Sequence, residues 1–181
     1  MTFERSSELL SRMARLIAAD GFDLGLQPVQ WQALRYLAAA NRFSRTPGGL
    51  TAWLGQTKGS VSQTVNTLVR KGLVSRDADA SDRRVVRLAL TVVGETLIRD
   101  QTPVAADILN ALSNAERVVF GELIEKSLRA NLAARKQRPF GLCQECRHFE
   151  RSTGDVHRCA LLDVPLSQAD SNQICVEQEA A

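Results

Sequence analysis

The stretch SVSQTVNTLVRKGLVSRDADASDRRVVRLALTVVG, residues 60–94, decides the fold. Val61, Val65, Leu68 and Val69 recur at helical spacing. On a wheel of ~100° per residue they cluster on one side, which is expected to be buried. Thr57 is placed to cap this helix, and Gly72 stops it after Lys71. LVSR and VVRLAL then read as two short strands joined by DADASDRR, a hairpin with a charged loop. Upstream, Thr46-Pro47 starts a short helix carrying Leu50, Trp53 and Leu54, and Gly55 ends it. Two short helices about a glycine turn, followed at once by a hairpin, make a helix-turn-helix with a wing. A helix has the right width for the major groove of B-DNA.

The side of residues 57–71 opposite the apolar one collects Gly59, Ser60, Gln63, Asn66, Thr67 and Arg70. Gln and Asn can bond adenine bidentately, and Ser or Thr can reach bases or phosphates. Gly59 would admit a close backbone approach, while Lys58 and Arg70 suit phosphates, which fix register. Arg83 and Arg84 fall near the hairpin tip, where an arginine gains from the negative potential of a narrow minor groove. Asp82 is expected to brace the wing by an internal ion pair. Between Arg45 and Arg87 eight Lys and Arg face three Asp, so the motif is basic.

These pieces resemble the MarR family of bacterial transcription regulators. The matching positions are Leu68, Lys71, Gly72, Leu73, Val74 and Arg76 at the end of the second helix, Asp82 and Arg84 in the wing, and Leu90, Thr91 and Gly94 beyond it. The resemblance spans roughly residues 3–137. It implies a homodimer on a short pseudo-palindrome of double-stranded DNA, with Arg84 as the wing arginine. The alanine usual in the first helix of the motif is Thr51 here.

The rest of residues 1–138 reads as helices around this motif. Residues 3–20 are amphipathic, with Leu9, Leu10, Met13, Leu16 and Ile17 at helical spacing. Pro28 opens a helix with Trp31, Leu34 and Leu37 on one stripe. Thr91 caps a long helix expected to run to about Pro103 or a little beyond, within 91–112, and SNAE at 113–116 forms a capping box for another running to about Gln137. These helices carry more apolar stripes than the small winged core can cover, and a second copy is the commonest partner. Residues 138–141, Arg-Pro-Phe-Gly, mark a boundary. The fold expected is thus mainly α with a small β-hairpin wing: a winged helix with dimerisation helices (1–138) and a small metal-binding tail (139–181).

The tail differs in charge. Residues 1–138 carry 20 Lys and Arg against 13 Asp and Glu, whereas residues 139–181 carry 3 against 7. All four cysteines lie in it, as Cys143-x2-Cys146-x12-Cys159-x15-Cys175. The N-terminus has no secretory pattern, which places the chain in the cytoplasm, where clustered thiols more often hold metal than disulfides. Four thiolates complete a tetrahedral set, and a segment of this size needs such a staple. Zinc usually takes its cysteines as two close pairs; the widely spaced Cys159 and Cys175 suit a 4Fe-4S cluster instead. The spacing weakly resembles the high-potential iron–sulfur proteins, and Phe149, Leu161, Leu162, Val164 and Leu166 could shield a cluster. His148 and His157 are assigned supporting or surface roles. One metal centre per chain, 4Fe-4S or zinc, is therefore expected, acting as a redox, iron or oxygen sensor that reaches the dimer through the 113–137 helix. The alternatives are a structural zinc tail with a small-molecule effector, or an electron-transfer protein.

No enzyme is expected. H-E-x-x-H and G-x-S-x-G are missing, and GQTKGS at 55–60 does not satisfy the phosphate-loop pattern. No run approaches the ~20 apolar residues of a membrane span.

Overall fold

A computed structural model describes residues 2–79 and 82–180. Ala80 and Ser81 of the wing loop lie outside the described residues. The chain begins with α1 (Phe3–Ala18), a 3-10 turn (Phe22–Leu24), α2 (Pro28–Ala39), α3 (Pro47–Leu54) and α4 (Lys58–Arg70). β1 (Val74–Ala78) and β2 (Val86–Leu90) follow, then α5 (Val92–Arg99), α6 (Val104–Asn110) and α7 (Asn114–Ala134). β1 and β2 form an antiparallel ribbon, with Val74 opposite Leu90 and Ala78 opposite Val86. The architecture is mainly helical with a small antiparallel wing.

Side-chain caps fix the helix starts. Thr46, Thr57, Thr91 and Ser113 each accept the backbone N–H three residues on. Gly55, at φ 60°, turns the chain between α3 and α4. Leu34, Leu37, Leu50, Val61, Val65, Leu68 and Leu88 fill the core between α2, α3, α4 and the ribbon. Gly94 lets α5 lie directly on the chain after α4: a Cβ there would collide with the Leu73 carbonyl oxygen.

Two expectations are corrected. Val69 is 39% exposed, and Thr64 takes its place in the core. The buried set 61, 64, 65 and 68 is the i, i+3, i+4, i+7 stripe, and Val69 lies a further ~100° round the helix. The single helix expected over 91–112 is two. Pro103 disfavours a helical residue before it and has no N–H to donate, so α5 ends at Arg99 and α6 restarts at Val104. The Val104 N–H then binds the Asp20 carboxylate at 3.2 Å.

The tail has a small fold of its own. It contains β3 (Gly141–Leu142), a 3-10 turn (Cys143–Glu145), β4 (Phe149–Glu150), β5 (Val156–Cys159), β6 (Val164–Ser167), α8 (Gln168–Ser171) and β7 (Ile174–Cys175). β3 pairs with β7, and β4, β5 and β6 form an antiparallel sheet. It docks on the link between α2 and α3. Asn41 N–H bonds to Ile174 O at 2.9 Å, and Val176 N–H bonds to Ser44 Oγ at 3.1 Å. Val176 enters the main core, and Phe140 packs tilted against Trp53, with 4.2 Å between ring centroids.

Candidate nucleic-acid interface and cysteine site

α4 stands with its apolar stripe against the core and its polar face to solvent. Lys58, Gly59, Ser60, Gln63, Asn66 and Arg70 are exposed, and Thr67 is half-buried. Thr57 Oγ1 accepts the Ser60 N–H and lies 2.9 Å from Ser60 Oγ, which fixes the first turn. Arg70 Nη2 donates to Thr67 Oγ1 at 3.1 Å, lying back along the helix. At Gly59 an added Cβ would meet only Thr57 Oγ1, at 3.9 Å, an ordinary contact, so a side chain there would not clash with the protein.

In the wing, Arg84 is clasped by Asp82. Its Nε and Nη2 lie 3.0 and 2.9 Å from the two carboxylate oxygens, and its side chain is 90% exposed. The bidentate contact holds the Asp82 carboxyl below the usual carboxylate range. Asp79 is the second brace: its Oδ1 accepts the Asp82 N–H, and its Oδ2 takes Arg87 Nε at 2.6 Å. The sequence singled out Asp82 as the brace, whereas Arg87, in a regular place in a strand, carries no motif. Arg83 is exposed beside Arg84. The sequence-predicted DNA residues are therefore all presented by α4 or the wing. Charge sits at the ends of this surface and neutral hydrogen-bonding groups at its centre.

These features are matched by known proteins. Residues 24–85 fit the sequence profile of the MarR family. That span takes in α2, α3, α4 and β1. A MarR transcriptional regulator from Methanosarcina mazei Go1 superposes with a TM-score of 0.59 at 22% identity, over 72% of this chain and 99% of that one. S. aureus MepR in its DNA-binding conformation gives 0.59 at 23%, over 72% and 98%. Wild-type E. coli MarR in its apo form gives 0.52 at 22%, over 71% and 98%. More than a quarter of the chain thus lies outside each match. No described helix is long and apolar enough to cross a membrane.

The winged core carries an open flank. None of α1 is buried, with Leu9, Leu10, Leu16 and Ile17 exposed, and none of α7, where Val118, Val119, Leu123, Ile124 and Leu128 face solvent. A cavity of about 400 Å³ lies among Ile17, Trp31, Arg35, Tyr36, Trp53 and Ala105. Trp31 Nε1 is buried there without a hydrogen-bond partner among the described residues.

In the tail, Cys143, Cys159 and Cys175 are buried around Leu166, and Cys146 is half-buried. All four border one apolar cavity with His148, Phe149, Leu161 and Leu162. Cys143 donates to Cys175, and this bond, with burial, pushes the Cys143 thiol up. Cys175 is lowered by that bond and by hydrogen bonds from the Glu177 N–H and the Asn41 and Ser44 side chains, all against its burial. The Glu179 N–H points at Cys146 Sγ, 3.4 Å away. Among the described residues no group of three or more His, Cys, Asp or Glu side chains is arranged to hold a metal ion. His157 is buried, with Nδ1 accepting the Ser152 N–H and Nε2 against Gln168 Oε1, and so does not face the thiols. His148 lies at the cavity rim, 3.5 Å from Glu179.

Proposed function

We propose that this chain is a homodimeric, DNA-binding transcriptional regulator of MarR type acting on a pseudo-palindromic operator. The observation that carries this is the pairing, on a MarR-type winged helix, of a polar exposed α4 face with an arginine wing braced by Asp82 and Asp79. α4 would read base edges through Gln63, Asn66 and Thr67, with Lys58, Ser60 and Arg70 on the backbone and Arg83 and Arg84 at the adjacent minor groove. The apolar faces of α1 and α7 support the dimer, because a monomer would leave them in water. Two α4 helices would then lie about one DNA turn apart. The test is binding of the purified protein to its own upstream region as salt is raised. Affinity should fall steeply, and Arg84→Ala should weaken it while making the salt slope shallower by about one.

The tail is read as a four-thiolate metal site formed by Cys143, Cys146, Cys159 and Cys175. The donor set suits such a group: Cys143, Cys159 and Cys175 are buried and Cys146 half-buried, all four border one cavity, and the Glu179 N–H points at Cys146 Sγ. The wide spacing of Cys159 and Cys175 along the chain is what favours a 4Fe-4S cluster over a single zinc in this reading. Such a centre would supply a redox- or iron-dependent constraint on the tail. Brown protein containing iron and sulfide after anaerobic purification supports this reading. Colourless protein with one zinc per chain selects the structural-zinc reading, in which a small organic effector in the cavity beside Trp31 and Arg35 provides the input.

A further inference from the structure

We infer that the cysteine site controls the pose of the wing through a relay running from Phe43 to Arg87 and Asp79. This deepens the reading of the tail as a regulatory metal site and rests on it. The route differs from the one expected through the 113–137 helix, and it does not pass through the dimer interface.

The relay is continuous. Phe43 packs on the cluster of Cys143, Cys159, Cys175 and Leu166. The Arg87 guanidinium lies 6.0 Å from the centre of the same ring, and Arg42 lies 4.7 Å from it. Arg87 Nη1 also donates to the Phe43 carbonyl at 2.9 Å and the Arg42 carbonyl at 3.2 Å, while its Nε holds Asp79. Asp79 in turn holds the Asp82 N–H, and Asp82 holds Arg84. Backbone bonds run alongside: Leu88 N–H to Arg45 O at 2.8 Å, and Asp79 N–H to Val85 O at 2.8 Å.

The tail grips the same segment from the other side. Arg42 Nη2 donates to Pro165 O at 2.7 Å, and its Nε is 3.5 Å from Asp170. Asn41 and Ser44 hold the residues on either side of Cys175, through Asn41 N–H to Ile174 O and Val176 N–H to Ser44 Oγ. Residues 41–44 are thus held between the cysteine-bearing tail and a wing strand. The tail strands are two to four residues long, too short to hold their pairing alone. Loss of the sulfur centre should therefore loosen the tail, release Phe43, and free Arg87 from its fixed position. The wing would then have to be ordered by DNA itself, which lowers affinity.

The test is amide exchange and operator binding on the full-length protein, purified anaerobically with its metal and then stripped with a chelator. Stripping should speed exchange at residues 41–45, 79 and 85–88 while α4 keeps its protection. Operator affinity should fall by about 5- to 150-fold, the usual span of coupling between two sites. Phe43→Leu, which keeps an apolar contact with the tail but removes the ring beneath Arg87, should bind like the parent when loaded and lose much less on stripping. Faster exchange confined to the tail, or no change, overturns the relay; for protein that carries no metal, Cys159→Ser replaces stripping with the same criterion. Wing exchange that responds in protein with no operator affinity in either state leaves the relay standing and removes the regulator reading instead.

Discussion

Gly59 shows how a single position separates stability from recognition. It sits near the start of α4, where a side chain would not clash with the protein. Gly59→Ala should stabilise the fold by up to about 1 kcal/mol through helix propensity, read as a raised Tm. The same methyl should weaken operator binding if the backbone meets DNA there, read by anisotropy titration. Asp82 makes a complementary case. Its folded-state pKa is depressed by Arg84, so the wing contact is present above the ordinary carboxylate range and lost as pH falls through the lowered value. An NMR titration of the Asp82 carboxyl should show that depressed midpoint, and Arg84→Ala should return it to normal. The Asp82–Arg84 contact was legible because its chemistry is local: the two are two residues apart. The burial of Thr64 in place of Val69 was not, because a wheel ranks residues by hydrophobicity while the core selects by angle.

At the level of elements, α5 and α7 carry distinct predictions. Gly94 permits the close crossing of α5 over Leu73. Gly94→Ala should destabilise the protein by about 1–3 kcal/mol through overpacking, measured by urea unfolding. Leu123 lies mid-way along the uncovered α7, and Leu123→Glu should convert a dimer into a monomer in sedimentation. A monomer should also bind operator far more weakly, since each α4 then contacts its half-site alone. The helix starts were readable from Thr46, Thr57, Thr91 and Ser113, since capping is a short-range rule. The break at Pro103 was signalled by the proline itself, but the apolar pattern on either side masked it.

Across the whole molecule, the four cysteines and the winged helix were each visible in sequence, but their junction was not. Nothing local tells Asn41 that it will bond Ile174, or Phe43 that it will seat on Cys159; those contacts span more than a hundred residues and depend on two-residue strands without measurable periodicity. The tail consequently read as an appendage, whereas Val176 and Phe140 tie it into the winged core. If the thiols hold a centre, thermal unfolding should depend on metal, with chelation lowering Tm by exposing the tail and then its dock on α2. The central claim, however, concerns DNA. The most direct measurement is anisotropy of the full-length protein against its own upstream region and an unrelated duplex across a salt series. The account predicts tighter binding to the upstream region, falling linearly in log–log form and weakened by Arg84→Ala. Equal, salt-insensitive or undetectable binding to both duplexes at low ionic strength would contradict it.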